Sequence, residues 1–254
     1  MTTNESQQHI RAYYKTLYDA WGRQNWWPGR TRLEVIVGAY LTQNTSWKNV
    51  EISLRRLRAA SALNLVAIRT MPAAQLEGLI RSAGYFRQKA ARLKTFVVFL
   101  DQQYGGSLSR MFAQPTQNLR QELLALHGVG PETADSILLY AGQHPVFVVD
   151  AYTRRILERH GLLDANAKYE KVRELCERAL GCVEPSKSKR NGEFRAKFSR
   201  LAHRPSRMSL SKRSPLAQVY NDMHGLIVGV GKHYCFKSKP DCEHCPLRTF
   251  LPSE

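Results

Sequence analysis

The sequence lacks long apolar runs and is poor in cysteine. No stretch approaches the roughly 18 consecutive apolar residues that mark a membrane-spanning helix, so no membrane partner is expected. The polar opening MTTNESQQHI has no apolar core of the kind that signal peptides carry. Five cysteines, an odd number without an export signal, argue against a disulfide framework. These absences predict a cytoplasmic protein.

Acidic residues are scarce compared with basic ones. Asp and Glu number 21 against 38 Lys and Arg, which gives a formal net charge of +17 at pH 7. This surplus favours a polyanionic partner, because neutralising phosphates releases condensed counterions. Ten of the basic residues lie in 184–214, where apolar residues are few and without period. That segment is predicted to be a flexible basic insertion, either a phosphate-binding arm or a solvated loop.

Alternation of polar and apolar residues, the pattern of strands, is almost absent. One short β-like run stands at 146–149, whereas apolar residues recur at helical spacing through about ten segments separated by short glycine breaks. Hydrophobic residues make up 43% of the chain, enough for a buried core. The sequence therefore predicts an all-α fold, built as one large domain or two small lobes.

The stretch LHGVGPETADSILLYA, which begins at Leu126, carries the strongest motif. Two glycines around one apolar residue suit a tight hairpin, since glycine permits positive φ and close backbone approach. Pro131 favours a helix start, whose unpaired N–H groups form a ready phosphate site. Asp150 follows Gly130 by 20 residues (150 − 130) and heads another predicted helix. By itself, Asp150 can be a simple helix cap.

Together with VVDAYTRR, this stretch resembles the helix-hairpin-helix, Gly/Pro-rich loop and aspartate signature of the endonuclease III-like glycosylases. The similarity extends to LEVIVGAYLTQNTSWKNV and to the C-terminal cysteines, and so covers most of the chain. It implies two helical lobes with a DNA-binding cleft between them and a C-terminal Cys loop. The expected division is a terminal lobe (1–30 with 165–234), a lobe at 31–164 with the helix-hairpin-helix at 118–142, and a Cys-rich loop at 235–254.

The resemblance implies that the chain excises damaged bases from double-stranded DNA as a nucleoid-associated monomer. Asp150 would be the catalytic carboxylate, which stabilises positive charge on the sugar and can activate water. DNA contacts are expected from His127, Gly128, Val129, Gly130 and Thr133. The alternative from another class is a DNA-binding module without catalysis.

Glu132 bears on strand cleavage. Bifunctional relatives carry a lysine two residues after the second hairpin glycine, where its amine forms a Schiff base. A carboxylate cannot form an imine, so Glu132 predicts a monofunctional glycosylase. Glu132 also suits the first turn of a helix for electrostatic reasons alone. The alternative within enzymes is an oxidised-pyrimidine glycosylase that retains lyase activity through another lysine.

An extruded base needs a pocket with stacking surfaces. The residues expected around that pocket are Trp26, Trp27, Gln43, Asn44, Trp47 and Glu132. Tryptophan faces attract cations, so a cationic alkylated purine suits such a pocket, and the arrangement resembles endonuclease III-type 3-methyladenine glycosylases. Gln43 and Asn44 match the family segment that fills the space left by the extruded base. Ordinary packing and helix capping are the alternative roles for these side chains.

The C-terminal cysteines follow the pattern Cys235-x6-Cys242-x2-Cys245, which resembles the first three ligands of the family's [4Fe–4S] loop. The fourth family position holds Leu251, although such a cluster normally takes four thiolates. Three alternatives stay open. These are an iron–sulfur cluster with an open or distant fourth ligand, a zinc site completed by His233 or His244, and a loop of free thiols.

Overall fold

A computed structural model describes residues 2–185 and 203–252. Every regular element in these two ranges is helical, which confirms the all-α prediction, and the β-like run at 146–149 is irregular. None of the helices found in these ranges is both long and apolar enough to cross a bilayer. In chain order the α-helices are α1 (Thr3–Trp21), α2 (Arg32–Thr42), α3 (Trp47–Ala59), α4 (Leu65–Thr70), α5 (Ala73–Ile80), α6 (Phe86–Tyr104), α7 (Leu108–Met111), α8 (Thr116–Ala125), α9 (Pro131–Ser136), α10 (Ala151–Arg159), α11 (Tyr169–Leu180) and α12 (Pro215–His233).

Short helical turns of other types complete the list. A π-helical segment, Ile137–Gly142, continues α9 without a break. Single 3₁₀ turns lie at Arg81–Ala83 and Arg248–Phe250. The chain divides into two compact units, one formed by residues 29–142 and the other by 1–28 together with 143–254.

The unit formed by residues 29–142 is built around α2. Every residue from Leu33 to Leu41 is buried, and all but Glu34 are apolar, glycine or tyrosine, as expected for a helix in the centre of a core. It packs against α3, α6, α9 and the π-helical segment. The buried ammonium of Lys89 donates to the Leu41 carbonyl at 2.9 Å and to the Ala83 carbonyl at 2.7 Å. A cation thus satisfies the C-terminal end of α2.

In the other unit, α1 packs against α11 and α12, and α10 packs against α12. The packing of α10 on α12 requires a glycine at position 231, because a Cβ there would lie 2.2 Å from Cδ1 of Tyr152. The N-terminus of α1 is fixed by a capping box, in which Thr2 and Glu5 exchange hydrogen bonds. The packing on α12 holds α10, the helix that Asp150 precedes.

The division differs from the one expected from the sequence. Residues 143–164 were predicted to belong to the middle lobe, yet they lie in the unit that contains both ends of the chain. The physical reason is the packing of α10 on α12, which sequence periodicity does not reveal. Asp150 therefore belongs to the terminal unit, and the hairpin belongs to the other.

The predicted flexible insertion, 184–214, falls partly outside the described residues, which omit 186–202. Residues 203–214 form turns with defined contacts. The His203 N–H donates to the Gln24 carbonyl at 3.2 Å, and Arg23 donates to the carbonyl of the fully buried Ser209 at 2.6 Å. These contacts are polar, whereas the prediction of a flexible insertion relied on the lack of an apolar period and stays a prediction.

Candidate active site

The turn between α8 and α9 has one glycine whose conformation requires glycine. Gly128 has a φ of +78°, and a Cβ there would lie 2.0 Å from Nε of Arg92. Gly130 has an ordinary φ of −87°, and no atom lies within 4 Å of its hypothetical Cβ. Val129 between them is buried. The turn is thus closed tightly at Gly128 and leaves the backbone open at Gly130.

Gln43, at the end of α2, fastens this turn. Its side-chain amide donates to the Gly128 carbonyl and to Oγ1 of Thr133, each at 3.0 Å. Its carbonyl oxygen accepts a hydrogen bond from Nη1 of Arg92 at 2.6 Å. The structure therefore brings together three of the predicted site residues, and it adds Arg92, which no sequence motif indicated.

A buried ion pair joins the two helices of the hairpin. Arg120 of α8 donates from Nε to Oδ1 of Asp135 at 2.6 Å and from Nη2 to Oδ2 at 3.1 Å. The two side chains are 9% and 0% exposed. A bidentate pair of this kind fixes the geometry of the helices as well as their separation.

The remaining residues predicted in this unit lie nearer the surface. His127 and Glu132 are exposed, with Glu132 in the first turn of α9. Asn44 is exposed and has a φ of +53°, a conformation that asparagine tolerates well. Trp47 is half-buried at the start of α3, and its Nε1 donates to Glu51 at 2.9 Å.

Asp150, in the terminal unit, is the N-cap of α10. Its Oδ1 accepts hydrogen bonds from the backbone N–H of Thr153 at 2.8 Å and from the Thr153 hydroxyl at 2.9 Å. Its Oδ2 lies 3.5 Å from Nε2 of His224, and the Asp150 side chain is 13% exposed. Helix capping therefore occupies one carboxylate oxygen, while the other faces a histidine.

The Asp150 carboxyl is held as an anion despite its burial. Burial alone raises its pKa, because the charged form loses hydration. The electrostatic effect of His224, whose Nε2 lies 3.5 Å away, and the hydrogen bonds from Thr153 outweigh this effect, so the pKa lies below the ordinary value for aspartate. The site thus offers a desolvated carboxylate at neutral pH, a group suited to stabilising a nearby cation.

Trp26 and Trp27 are both buried in the same unit as Asp150. The Trp26 ring lies 5.8 Å from the ring of His224. Gly225 of α12 permits this approach, since a Cβ there would lie 3.1 Å from Cβ of Trp26. Two of the six predicted pocket residues therefore share a unit with Asp150, and the other four belong to residues 29–142.

His224 is the functional candidate that sequence reasoning missed. It is 3% exposed on α12, and no local motif distinguishes it from a core histidine. Its link to Asp150 arises only when α10 packs on α12. The one available signal was the polar run Asn221-Asp222 in an otherwise apolar helix.

The three C-terminal cysteines line one cavity of about 20 Å³, and Leu251 also lines it. This volume suits about one water molecule. No group of three or more His, Cys, Asp or Glu side chains in 2–185 and 203–252 is placed to hold a metal ion. The residues present therefore do not fit a cluster held by four thiolates. His244, considered as a zinc ligand, pairs through Nδ1 with Asp241 at 2.8 Å.

The loop is held by α10 instead. Arg159 donates from Nη1 to Sγ of Cys235 at 3.2 Å and to the Phe236 carbonyl at 2.6 Å. Arg155, one turn earlier, donates to the Cys235 carbonyl at 2.8 Å. Two arginines of one helix thus secure the beginning of the loop.

Comparisons with known proteins point to one family. Residues 37–182 match the family described as "HhH-GPD superfamily base excision DNA repair protein". A protein of Methanocaldococcus jannaschii named as a DNA repair glycosylase is 40% identical over 246 residues, which cover 96% of each chain. Endonuclease III of Sulfolobus acidocaldarius is 24% identical over 225 residues, covering 87% of this chain and 83% of that protein.

Solved structures show the same fold. A 3-methyladenine DNA glycosylase of H. pylori, bound to 1,N6-ethenoadenine, superposes with a TM-score of 0.68 at 28% identity, covering 89% of this chain and 97% of that one. A trapped endonuclease III–DNA covalent intermediate gives a TM-score of 0.68 at 20% identity, covering 98% and 95%. The family match spans more than half of the sequence, and the chain belongs to the HhH-GPD superfamily of base excision DNA repair proteins, as a DNA glycosylase.

Proposed function

We propose that this DNA glycosylase is monofunctional, that it acts on duplex DNA as a monomer, and that alkylated purines are its preferred lesions. The observation that carries the proposal is the setting of Asp150. It is a buried carboxylate whose pKa lies below the ordinary value because His224 and Thr153 outweigh the effect of burial. Hydrolysis of an N-glycosidic bond develops positive charge on the sugar, and an anion fixed beside that charge lowers the barrier.

The two oxygens of Asp150 have separate roles in this mechanism. Oδ1 is engaged by the backbone and hydroxyl of Thr153, which fixes the rotamer. Oδ2 accepts no hydrogen bond from Thr153 and lies 3.5 Å from Nε2 of His224, and it is the oxygen that we assign to the C1′ cation and to the attacking water. Capping and catalysis are thus compatible in one residue.

The hairpin supplies the proposed grip on the DNA backbone. Its open backbone at Gly130 leaves room for a phosphate oxygen, and the first N–H groups of α9 lack partners within the helix. His127, Gly128, Val129 and Thr133 complete the proposed contact surface. The net charge of +17 supports binding to duplex DNA, and binding should weaken steeply with salt.

The absence of lyase activity is proposed from Glu132, which stands where a Schiff-base lysine is needed. Incubation with a lesion duplex and sodium borohydride should leave no covalent adduct with the wild-type chain. Glu132→Lys should introduce a trappable amine, with Glu132→Gln as the control that removes charge but adds no amine. A wild-type adduct would instead favour the bifunctional oxidised-pyrimidine alternative.

The preference for alkylated purines is proposed from the surroundings of Trp26. Lys232 Nζ lies 5.7 Å from the Trp26 ring centroid, and the ring of His203 lies 5.1 Å away. Aromatic faces attract cationic groups, as the approach of Lys232 to Trp26 illustrates, and an alkylated purine is a cationic group. The similarity to a 3-methyladenine DNA glycosylase, at 28% identity, supports the same preference for alkylated purines.

A panel of duplexes, each with one lesion, tests the substrate and Asp150 together. We expect release of alkylated purines and not of oxidised pyrimidines, and loss of release with retained duplex binding in Asp150→Asn. Asp19→Asn, which changes an exposed carboxylate on α1, is the matched control. Release by Asp150→Asn at the wild-type rate would contradict the mechanism. No release from any duplex would favour the non-catalytic DNA-binding alternative.

A further inference from the structure

A buried histidine contacts the carboxylate on which the proposed function depends. His224 of α12 is 3% exposed, and its Nε2 lies 3.5 Å from Oδ2 of Asp150. This is the oxygen that the helix cap leaves without a Thr153 partner. The contact joins α10 to α12, so the orientation of the carboxylate depends on a second helix.

The ring of His224 also packs against the ring of Trp26. It lies 5.8 Å from the ring of Trp26 at an interplanar angle of 57°. The His224 ring therefore lies between the Trp26 ring and the Asp150 carboxylate, and a shift of either neighbour would displace it.

We propose that His224 is a positioning residue for base excision, which acts through Asp150 by holding Oδ2 toward the reacting sugar and by keeping the buried carboxylate anionic. This inference rests on the proposed function of Asp150. It adds a second residue on a different helix, and it predicts how excision depends on pH.

Burial disfavours the charged form of the Asp150 carboxyl. Burial by itself raises the pKa of Asp150, and the charge of His224 is the largest of the effects that lower it. Without the imidazole, the Thr153 hydrogen bonds on Oδ1 would oppose the desolvation alone. The carboxyl would then take up a proton at a higher pH, and a protonated acid cannot stabilise the sugar cation.

Other titratable or charged groups face this region from three directions. Tyr152 lies on α10 itself, where burial and the Asp150 charge raise its pKa, and Arg155 lies 5.1 Å over its ring. Lys232 of α12 and His203 lie against Trp26. Of these groups, Tyr152 carries no positive charge, and Arg155, Lys232 and His203 each contact an aromatic ring. His224 is the group at ion-pair distance from Asp150.

Single-turnover excision measured from acid to neutral pH tests the proposal. His224→Gln should move the acid limb of the profile to higher pH and lower the rate on the order of 10- to 100-fold at neutral pH, because a displaced carboxylate loses its alignment. His224→Ala should lower it further, and binding to a duplex with an uncleavable abasic analogue should persist. His9→Gln on α1 is the matched control and should leave the profile unchanged.

The outcomes separate this inference from the proposed function. If Asp150→Asn abolishes excision while His224→Gln folds normally and keeps the wild-type rate and acid limb, the inference on His224 is overturned and Asp150 stands. If Asp150→Asn remains active, the proposed function itself fails. A uniform loss of rate at every pH, with a lowered Tm, would assign His224 to packing alone.

A measurement on the wild-type chain covers the case in which the variants do not fold. The ¹³C carboxyl resonance of Asp150 should titrate below the ordinary range of aspartate. Titration at or above that range would overturn the inference.

Discussion

Replacing Gly128 by alanine should loosen the hairpin in a way that Gly130→Ala does not. At Gly128 the backbone has a φ of +78°, which L-residues rarely adopt, and the new methyl group would lie 2.0 Å from Nε of Arg92. Arg92 has a flexible side chain and would move aside. That movement would break its 2.6 Å hydrogen bond to Gln43.

The stability loss in Gly128→Ala has two causes, the unfavourable φ and the broken hydrogen bond between Arg92 and Gln43. A left-handed conformation costs a non-glycine residue about 1–2 kcal/mol. A hydrogen bond to a charged group contributes about 1.5–3 kcal/mol. Because the two terms are not strictly additive, we expect Gly128→Ala to lower the free energy of unfolding by about 2–5 kcal/mol.

Urea denaturation followed by circular dichroism measures this change, provided that the m-value stays constant. Gly130→Ala is the matched control. Its φ of −87° and the open space around it predict no strain, and the smaller entropy of the unfolded chain opposes the poorer N-cap preference of alanine at this position, so stability should change by less than about 1 kcal/mol. Duplex binding should nevertheless weaken in Gly130→Ala, because the methyl group would occupy the proposed phosphate site.

Equal stability losses in the two variants would refute the reasoning, since they would mean that the turn does not depend on the Gly128 conformation. Duplex binding unchanged by Gly130→Ala would separately refute the placement of the phosphate.

Three further predictions follow from buried groups. Arg120→Met should lower the free energy of unfolding by about 3–5 kcal/mol, because Asp135 stays buried and charged, and adding Asp135→Leu should recover most of the loss. Burial raises the pKa of Asp222 to about 6, so its ionisation costs stability as pH rises from about 4 to 6. Asp222→Asn should therefore raise Tm at pH 7 and leave it unchanged below pH 4. Cys245→Ser should leave Tm within a few degrees of the wild-type value, because Arg155 and Arg159 hold the loop. A visible charge-transfer absorption that is present in the wild type and lost in this variant would contradict the conclusion that the cysteines do not fit a metal cluster.

Local features of the site were predictable from the sequence because they depend on neighbours along the chain. The hairpin glycines and the acid before a helix follow from backbone conformation and capping within a few residues. Arg92 and His224 were not predictable, since each acquires its role from a helix distant in sequence. Arg92 reaches the hairpin only because α6 packs on α2, and His224 reaches Asp150 only because α12 packs on α10.

The cysteine pattern is a case in which a recognisable spacing left three alternatives open. Three cysteines do line one cavity, yet Leu251 occupies the wall where a fourth thiolate would be needed. The insertion at 184–214 was interpreted from its lack of an apolar period, and that criterion did not indicate the polar hydrogen bonds that His203 and Ser209 make. Periodicity detects apolar packing and does not detect order built from polar contacts.

The helix α10 is anchored at both of its ends. Asp150 and Thr153 close its first turn, while Arg155 and Arg159 tie its last turns to the carbonyls of Cys235 and Phe236. The C-terminal segment thereby serves as a brace, and the position of a carboxylate at one end is set partly by a loop at the other. Proteolysis of that segment, or oxidation of its thiols, would therefore impair base excision, although neither change alters a residue that contacts the substrate.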